Sequence, residues 1–214
     1  MNATQPLIDL RAVGARIGAT TILRDVDVTV EPGEAVGLFG SNGAGKTTLL
    51  RILATLMRPT EGGGTVLGAS VVDAARYDVR PQIGLIGHLP ALYPELTLRE
   101  NLQFAARIGG QSDERVDEVL TTVGLGEAAD RRVAACSHGM QRRCEFAREL
   151  MRGPKLLLLD EPHTALDVAA VELVGHMTAG VTSRGGAAVV VSHDRARVAP
   201  MVDRSLELSG GTVR

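Results

Sequence analysis

Residues 40 to 47 read Gly-Ser-Asn-Gly-Ala-Gly-Lys-Thr, with the apolar run Ala35-Val36-Gly37-Leu38-Phe39 before them and Thr48-Leu49-Leu50-Arg51-Ile52-Leu53 after. The first flank suits a buried strand and the second a helix, so the glycine-rich stretch is a loop that enters a helix. Glycines there let successive backbone N–H groups of Gly40, Ser41, Asn42, Gly43, Ala44 and Gly45 turn inward around phosphate oxygens, and the helix N-terminus adds a partial positive charge. In such a phosphate-binding loop Lys46 reaches the β and γ phosphates, the Thr47 hydroxyl is placed to ligate Mg²⁺, and Thr48 opens the helix behind them. The bland alternative, a glycine-rich turn that only reverses the chain, does not explain both flanks together with the whole motif.

A second stretch answers the first. Leu156-Leu157-Leu158-Leu159 runs straight into Asp160-Glu161. A buried strand ending in Asp160 can hold the Mg²⁺ already touched by Thr47, since that ion prefers oxygen ligands in octahedral geometry. Glu161, one residue on, is placed to orient or deprotonate an attacking water. An isolated acidic pair often just ends a strand at the surface, but this one follows a phosphate loop. Together the two stretches predict a protein that binds a nucleoside triphosphate with Mg²⁺ and hydrolyses it.

The chain has 214 residues, a net charge of −2 and a pI near 6.2. That length suits one catalytic domain, expected to span 1–214. Neither the charge nor the 2% aromatic content, without tryptophan, favours nucleic acid as a partner. The start Met1-Asn2-Ala3-Thr4-Gln5-Pro6 lacks the pattern of a secretory signal, and no apolar run approaches the ~18 residues needed to cross a bilayer. Cys136 and Cys144, eight apart on what reads as one helix, fit reduced thiols better than a disulfide or a zinc site.

Along the chain, Leu7 to Val13 and Ile22 to Val30 read as strands, followed by glycine-rich turns around Gly62 to Gly64, a short strand at Thr65-Val66-Leu67 and another from Ile83 to Ile86. Thr97-Leu98-Arg99-Glu100 is a capping box opening a helix through Ile108, and Ser112 can cap a second helix with Val116, Val119, Leu120 and Val123 on one face. Residues from about 89 to 150 therefore read as a helical insert between sheet strands. Leu156 to Leu159 and Ala187 to Val191 have the unbroken apolar character of strands covered on both faces.

With these elements in place, the chain resembles the nucleotide-binding domain of ATP-binding-cassette (ABC) proteins over essentially its whole length. Ser137-His138-Gly139-Met140-Gln141 sits where that family has its Ser-Gly-Gly-Gln signature, Ala165-Leu166-Asp167 matches its Asp loop, and His193 in Val191-Ser192-His193-Asp194 matches its switch histidine. The resemblance implies an α/β fold: a P-loop NTPase (RecA-like) core with an N-terminal antiparallel β subdomain and an inserted α-helical subdomain. It also implies that two copies pair head to tail, each ATP lying between the phosphate loop of one and the signature residues Ser137 and Gly139 of the other, with Asp167 of the Asp loop also acting across the pair. His193 would sense the γ-phosphate and help position Glu161. A peripheral place on the cytoplasmic face of the membrane follows, beside a separate integral-membrane permease.

Gly87-His88-Leu89-Pro90, Glu95-Leu96-Thr97, Glu100-Asn101-Leu102 and the run Gly40 to Arg51 are similar to the haem-exporter ATP-binding subunits of cytochrome c maturation. Most cassettes carry glutamine where His88 falls, a residue that contacts Mg²⁺ and water and couples to the permease. An imidazole is a poorer magnesium ligand than an amide oxygen, which implies contact through water. Ile17 falls near the usual adenine-stacking aromatic and offers no π-face. His138 and Met140 replace a glycine and a glutamine of the signature, leaving Ser137 and Gly139 as its dependable parts. The competing readings are an exporter of a drug, lipid or polysaccharide, a soluble ABC-type protein of translation or DNA repair, and a regulatory module that binds without hydrolysis.

Overall fold

The computed structural model describes residues 5–163 and 168–213. Two sheets organise it. The larger has the order β10-β9-β3-β8-β7-β6, built from β3 (Ala35–Phe39), β6 (Ile83–Ile86), β7 (Leu156–Asp160), β8 (Ala187–Val191), β9 (Arg204–Ser209) and β10 (Thr212–Val213). Its strands run parallel except for the edge pair of β10 with β9.

Period two along these strands divides one core into two. Val36, Leu38, Leu156, Leu158, Val189 and Val191 point to one face, while Ala35, Phe39, Leu157, Leu159, Ala188 and Val190 point to the other. Every residue of β3, β7 and β8 is buried, which is why their sequences are apolar without alternation. The first face packs on α1 (Lys46–Leu53) and on the second sheet. The other is covered by α4 (His138–Arg152) and α5 (Val168–Thr182), with α2 (Leu98–Gly109) and α3 (Asp113–Thr122) stacked beyond α4.

The second sheet is antiparallel, β2-β1-β4-β5, from β1 (Ile8–Ile17), β2 (Thr20–Val30), β4 (Glu61–Val66) and β5 (Ala69–Ser70). It corrects two expectations. The first strand does not stop at Val13: it kinks where Ala12 takes φ 49° and the register slips, then continues to Ile17. Gly62 to Gly64 are not turns but part of β4, because β1 comes too near for side chains; a Cβ on Gly64 would stand 2.0 Å from the Asp9 carbonyl oxygen.

The capping box forms as expected: Thr97 accepts from the Glu100 N–H and Glu100 accepts from the Thr97 N–H. Ser112 caps α3. The insert, however, is not helical from 89; residues 87 to 97 follow an irregular path and α2 begins at Leu98. Nor do the cysteines share a helix, since Cys136 precedes the Ser137 cap of α4 and only Cys144 lies inside it. No helix among the described residues is long and apolar enough to cross a membrane.

Cys144 is fully buried, and burial pushes its thiol up from 9.0 to about 12. A folded-state value above the unfolded one means that stability is lost as pH rises: above about 9 the unfolded chain sheds a proton that the native thiol keeps. Cys144 is therefore expected to resist thiol reagents at neutral pH and to react fully in denaturant. Mass spectrometry of native and denatured labelling checks this, and rapid native modification of Cys144 would contradict it.

Candidate nucleotide site

The loop between β3 and α1 leaves the sheet at the C-terminal ends of its parallel strands, where open α/β sheets place ligands. Gly40 adopts φ 150°, and a Cβ there would meet the Leu208 carbonyl oxygen at 2.3 Å, so the loop's first position admits no side chain. Gly45 is the N-cap of α1 and supplies no side-chain cap, which leaves the first-turn N–H groups available to an anion. Lys46 folds back over the loop, its Nζ donating to the carbonyls of Gly40 (2.7 Å) and Ser41 (3.0 Å). Its charge is thereby held at the mouth of the amide cradle.

The neighbouring strand ends converge on the same place. β7 delivers Asp160, whose Oδ2 accepts from the Thr47 hydroxyl at 3.1 Å. Burial pushes the Asp160 carboxyl above the ordinary aspartate range; Thr47 opposes this through its hydrogen bond, the Glu161 charge adds to it, and His88 and Lys46 oppose it electrostatically. Among the described residues no cluster of three or more His, Cys, Asp or Glu side chains could cage a metal. A carboxylate and a hydroxyl 3.1 Å apart beside a phosphate cradle are instead the donor set for an ion that takes its other ligands from phosphate and water, as Mg²⁺ does.

Glu161 turns out of the strand with φ 49°, its N–H still donating to the Val191 carbonyl at 2.9 Å. Both carboxylate oxygens meet the end of β8: Oε1 lies 2.9 Å from His193 Nδ1 and Oε2 accepts from the Ser192 hydroxyl at 3.1 Å. A carboxylate oriented by an imidazole and a hydroxyl, next to an anion cradle, can take a proton from water. His163, two residues further on, is buried without a hydrogen bond to either ring nitrogen among the described residues, and burial lowers its pKa.

These groups line a cleft of about 540 Å³, in which Asn42, Gly43, Gly45, Lys46, Thr47 and Thr48 face His88, Asp160, Glu161 and His193. His88, from the irregular stretch after β6, thus joins the residues predicted from the two motifs. Ile17 does not line the cleft; it is exposed at the end of β1, and the apolar wall is Ile22 of β2. Ser137 and Gly139 stand elsewhere, at the start of α4, with the Ser137 hydroxyl accepting from the Met140 N–H at 3.3 Å. Asp167, with Ala165 and Leu166, lies outside the described residues. Ile22 and Ser192 were missed by sequence reasoning. Ser192 had a signal, its place beside His193 at a strand end; Ile22 had none beyond its apolarity.

A phosphate cradle at the switch of a parallel sheet, with Asp160 and Glu161 at the end of β7, one strand beyond the neighbouring β8, defines a P-loop ATPase fold. The comparisons resolve the class further. The profile of the ABC transporter family matches residues 23–164. The "Cytochrome c biogenesis ATP-binding export protein CcmA 2" of Cupriavidus metallidurans is 38% identical over 191 residues, covering 88% of this chain and 90% of the relative. The "Nod factor export ATP-binding protein I" of Bradyrhizobium diazoefficiens is 35% identical over 99% of this chain and 70% of the relative. Among solved structures, an ATP-binding subunit of an ABC transporter superposes with TM-score 0.88 at 29% identity, covering 97% of this chain and 88% of the other. The dimeric post-hydrolysis state of the ATP-binding cassette MJ0796, bound to ADP and Pi, superposes with TM-score 0.85 at 30% identity over 96% of each. The chain belongs to the ABC transporter family, as an ATP-binding, ATP-hydrolysing subunit.

Proposed function

We propose that this chain drives export through a separate membrane permease, with haem for cytochrome c maturation as the cargo. The observation that carries the mechanism is the half-built cleft: it gathers the phosphate loop, Asp160, Glu161, His88 and His193, while Ser137 and Gly139 sit apart at the N-terminus of α4. A second copy arriving head to tail brings its own Ser137 and Gly139 to the γ-phosphate, completing the anion site with a helix N-terminus. Thr47 and Asp160 hold Mg²⁺, which when bound neutralises the phosphate charge that develops in the reaction. Glu161 takes the proton of the attacking water, and His193 fixes the carboxylate and reads the γ-phosphate. Contacts that exist only with the γ-phosphate present favour the closed dimer; hydrolysis removes them and the pair reopens.

The permease docks on the insert. An apolar groove of about 730 Å³ runs between the stretch after β6 and α2, lined by Leu92, Tyr93, Phe104 and Ile108 with Arg148 and Arg152 at its side. Tyr93 and Phe104 pack edge to face there at 5.3 Å while both keep exposed surface. Ala91 and Leu92 of the segment that carries His88 into the cleft line this groove, so movement of the dimer reaches the permease through that segment.

Haem is favoured by the relative matched across nearly its full length and by the Gly87-His88 pair. The Nod factor relatives, matched at similar identity, favour a second reading in which another molecule is exported. Disruption of the gene in its own host separates them. Loss of covalent haem staining and of c-type absorption bands, restored by the intact gene, is the expected result; unaltered c-type cytochromes would remove the haem reading while leaving the transporter reading to co-purification of a permease.

A further inference from the structure

Arg142, Glu145 and Arg148 recur every third residue along one face of α4. Arg142 is 4% exposed and Glu145 is fully buried. Charges so placed are costly unless every polar atom finds a partner. Here the partners are mostly not side chains. Arg142 Nη1 donates to the Gly87 carbonyl (2.6 Å) and to Glu145 (3.0 Å), and its Nη2 donates to the His88 carbonyl (3.0 Å). Glu145 Oε1 accepts from the Ala91 N–H (2.9 Å), and Arg148 Nη1 donates to the Ala91 carbonyl (2.7 Å).

The segment they grip, 87 to 92, has no other hydrogen-bonded framework; beyond it Asn101 holds Tyr93, and the Val133 and Ala134 N–H groups donate to the carbonyls of Leu96 and Pro94. Among the described residues, 88 to 92 make no backbone–backbone hydrogen bond, and 87 to 97 form neither helix nor strand. Its path is therefore set by the charges of α4. That segment places His88 in the nucleotide cleft, and α4 starts at the Ser137 cap. We infer that Arg142 and Glu145 are a positioning pair: they hold His88 at the cleft and tie it to the N-terminus of α4, so the two ends of the site move as one body. This rests on the cleft being the ATP site. Neither residue touches the nucleotide; both act through His88.

Removing one partner alone would strand a buried charge, so the informative variant replaces both, Arg142→Met with Glu145→Met; exchanging a buried pair for apolar groups of similar volume is often neutral or stabilising. In the purified protein that variant is expected to melt near the wild-type temperature and to bind a fluorescent ATP analogue within about twofold. Its kcat for ATP hydrolysis is expected to fall roughly tenfold, because binding is separable from the hydrolytic step. In a His88→Ala background the same pair of replacements should lower kcat no further, since both changes act on one element. Undiminished kcat in the folded variant overturns the inference, and so does a loss that multiplies with that of His88→Ala. If His88→Ala itself leaves hydrolysis unaltered, the place of His88 in the site fails and the pair's role with it. Should the double variant not fold, Ala91→Pro removes the N–H from which Glu145 accepts while leaving both charges of the pair in place, at the cost of fixing φ there; a lower kcat supports the inference and an unchanged one overturns it.

Discussion

Lys46→Ala is expected to weaken ATP binding by about 100-fold or more and to leave no measurable turnover. The Lys46 ammonium sits on the carbonyls of Gly40 and Ser41, at the rim of the amide cradle where the β and γ phosphates lie in a P-loop. Amides alone can hold a phosphate through partial charges, but a triphosphate carries several full ones, and a charge-assisted contact in a partly dehydrated cleft is worth a few kcal/mol. The fold should tolerate the change, because Ser41 is exposed and Gly40 only partly buried, so their carbonyls turn to water. Isothermal titration with ATP and Mg²⁺, paired with a melting curve, separates the two effects. Wild-type affinity in a folded Lys46→Ala protein would mean that the phosphates lie somewhere other than over this loop.

Much of this architecture is legible in the sequence, and the reason is burial. β3, β7 and β8 are covered on both faces, so their apolar runs are unbroken and their ends are marked by the residues that do chemistry. The caps at Thr97 and Ser112 are legible because a helix start has local chemistry of its own. What was not legible depends on neighbours distant in the chain. Gly62 and Gly64 carry turn composition, yet lie in a strand because of how closely β1 passes, a fact that local propensity cannot contain. The stretch from 89 to 97 shows no strand pattern, but it is no helix either: Glu145 and Arg148, more than 50 positions later, hold Ala91, Asn101 holds Tyr93, and Val133 and Ala134 bond Leu96 and Pro94. The buried Arg142 and Glu145 of α4 look, in sequence, like the solvated face of a helix. Ile17 shows the limit of alignment: its position was readable from resemblance, whereas the side chain that walls the cleft is Ile22, on the next strand.

Glu161→Gln is expected to lower kcat about 10²- to 10³-fold while leaving ATP affinity nearly unchanged, the size of effect seen when a positioned general base is neutralised. Glutamine keeps the shape of the side chain and one acceptor oxygen, enough for the Ser192 hydroxyl, and the backbone bond that holds φ 49° in place is untouched. What it removes is the charge that pairs with His193 at 2.9 Å and can receive a proton from water. Binding and hydrolysis then come apart: the γ-phosphate still draws two copies together, but the event that would release them is slow, so an ATP-bound dimer should accumulate. Size-exclusion chromatography with light scattering in ATP and Mg²⁺ reads the dimer, and single-turnover phosphate release reads the chemistry. Adding Lys46→Ala to the same chain should abolish the dimer, because the γ-phosphate that bridges the copies is then never held. Turnover at the wild-type rate would place the base elsewhere and reduce the contact of Glu161 with His193 to strand-end packing. A Glu161→Gln protein that stays monomeric with ATP and Mg²⁺, even beside its permease, would leave the distance between Ser137 and the phosphate loop without a function and would end the clamp mechanism.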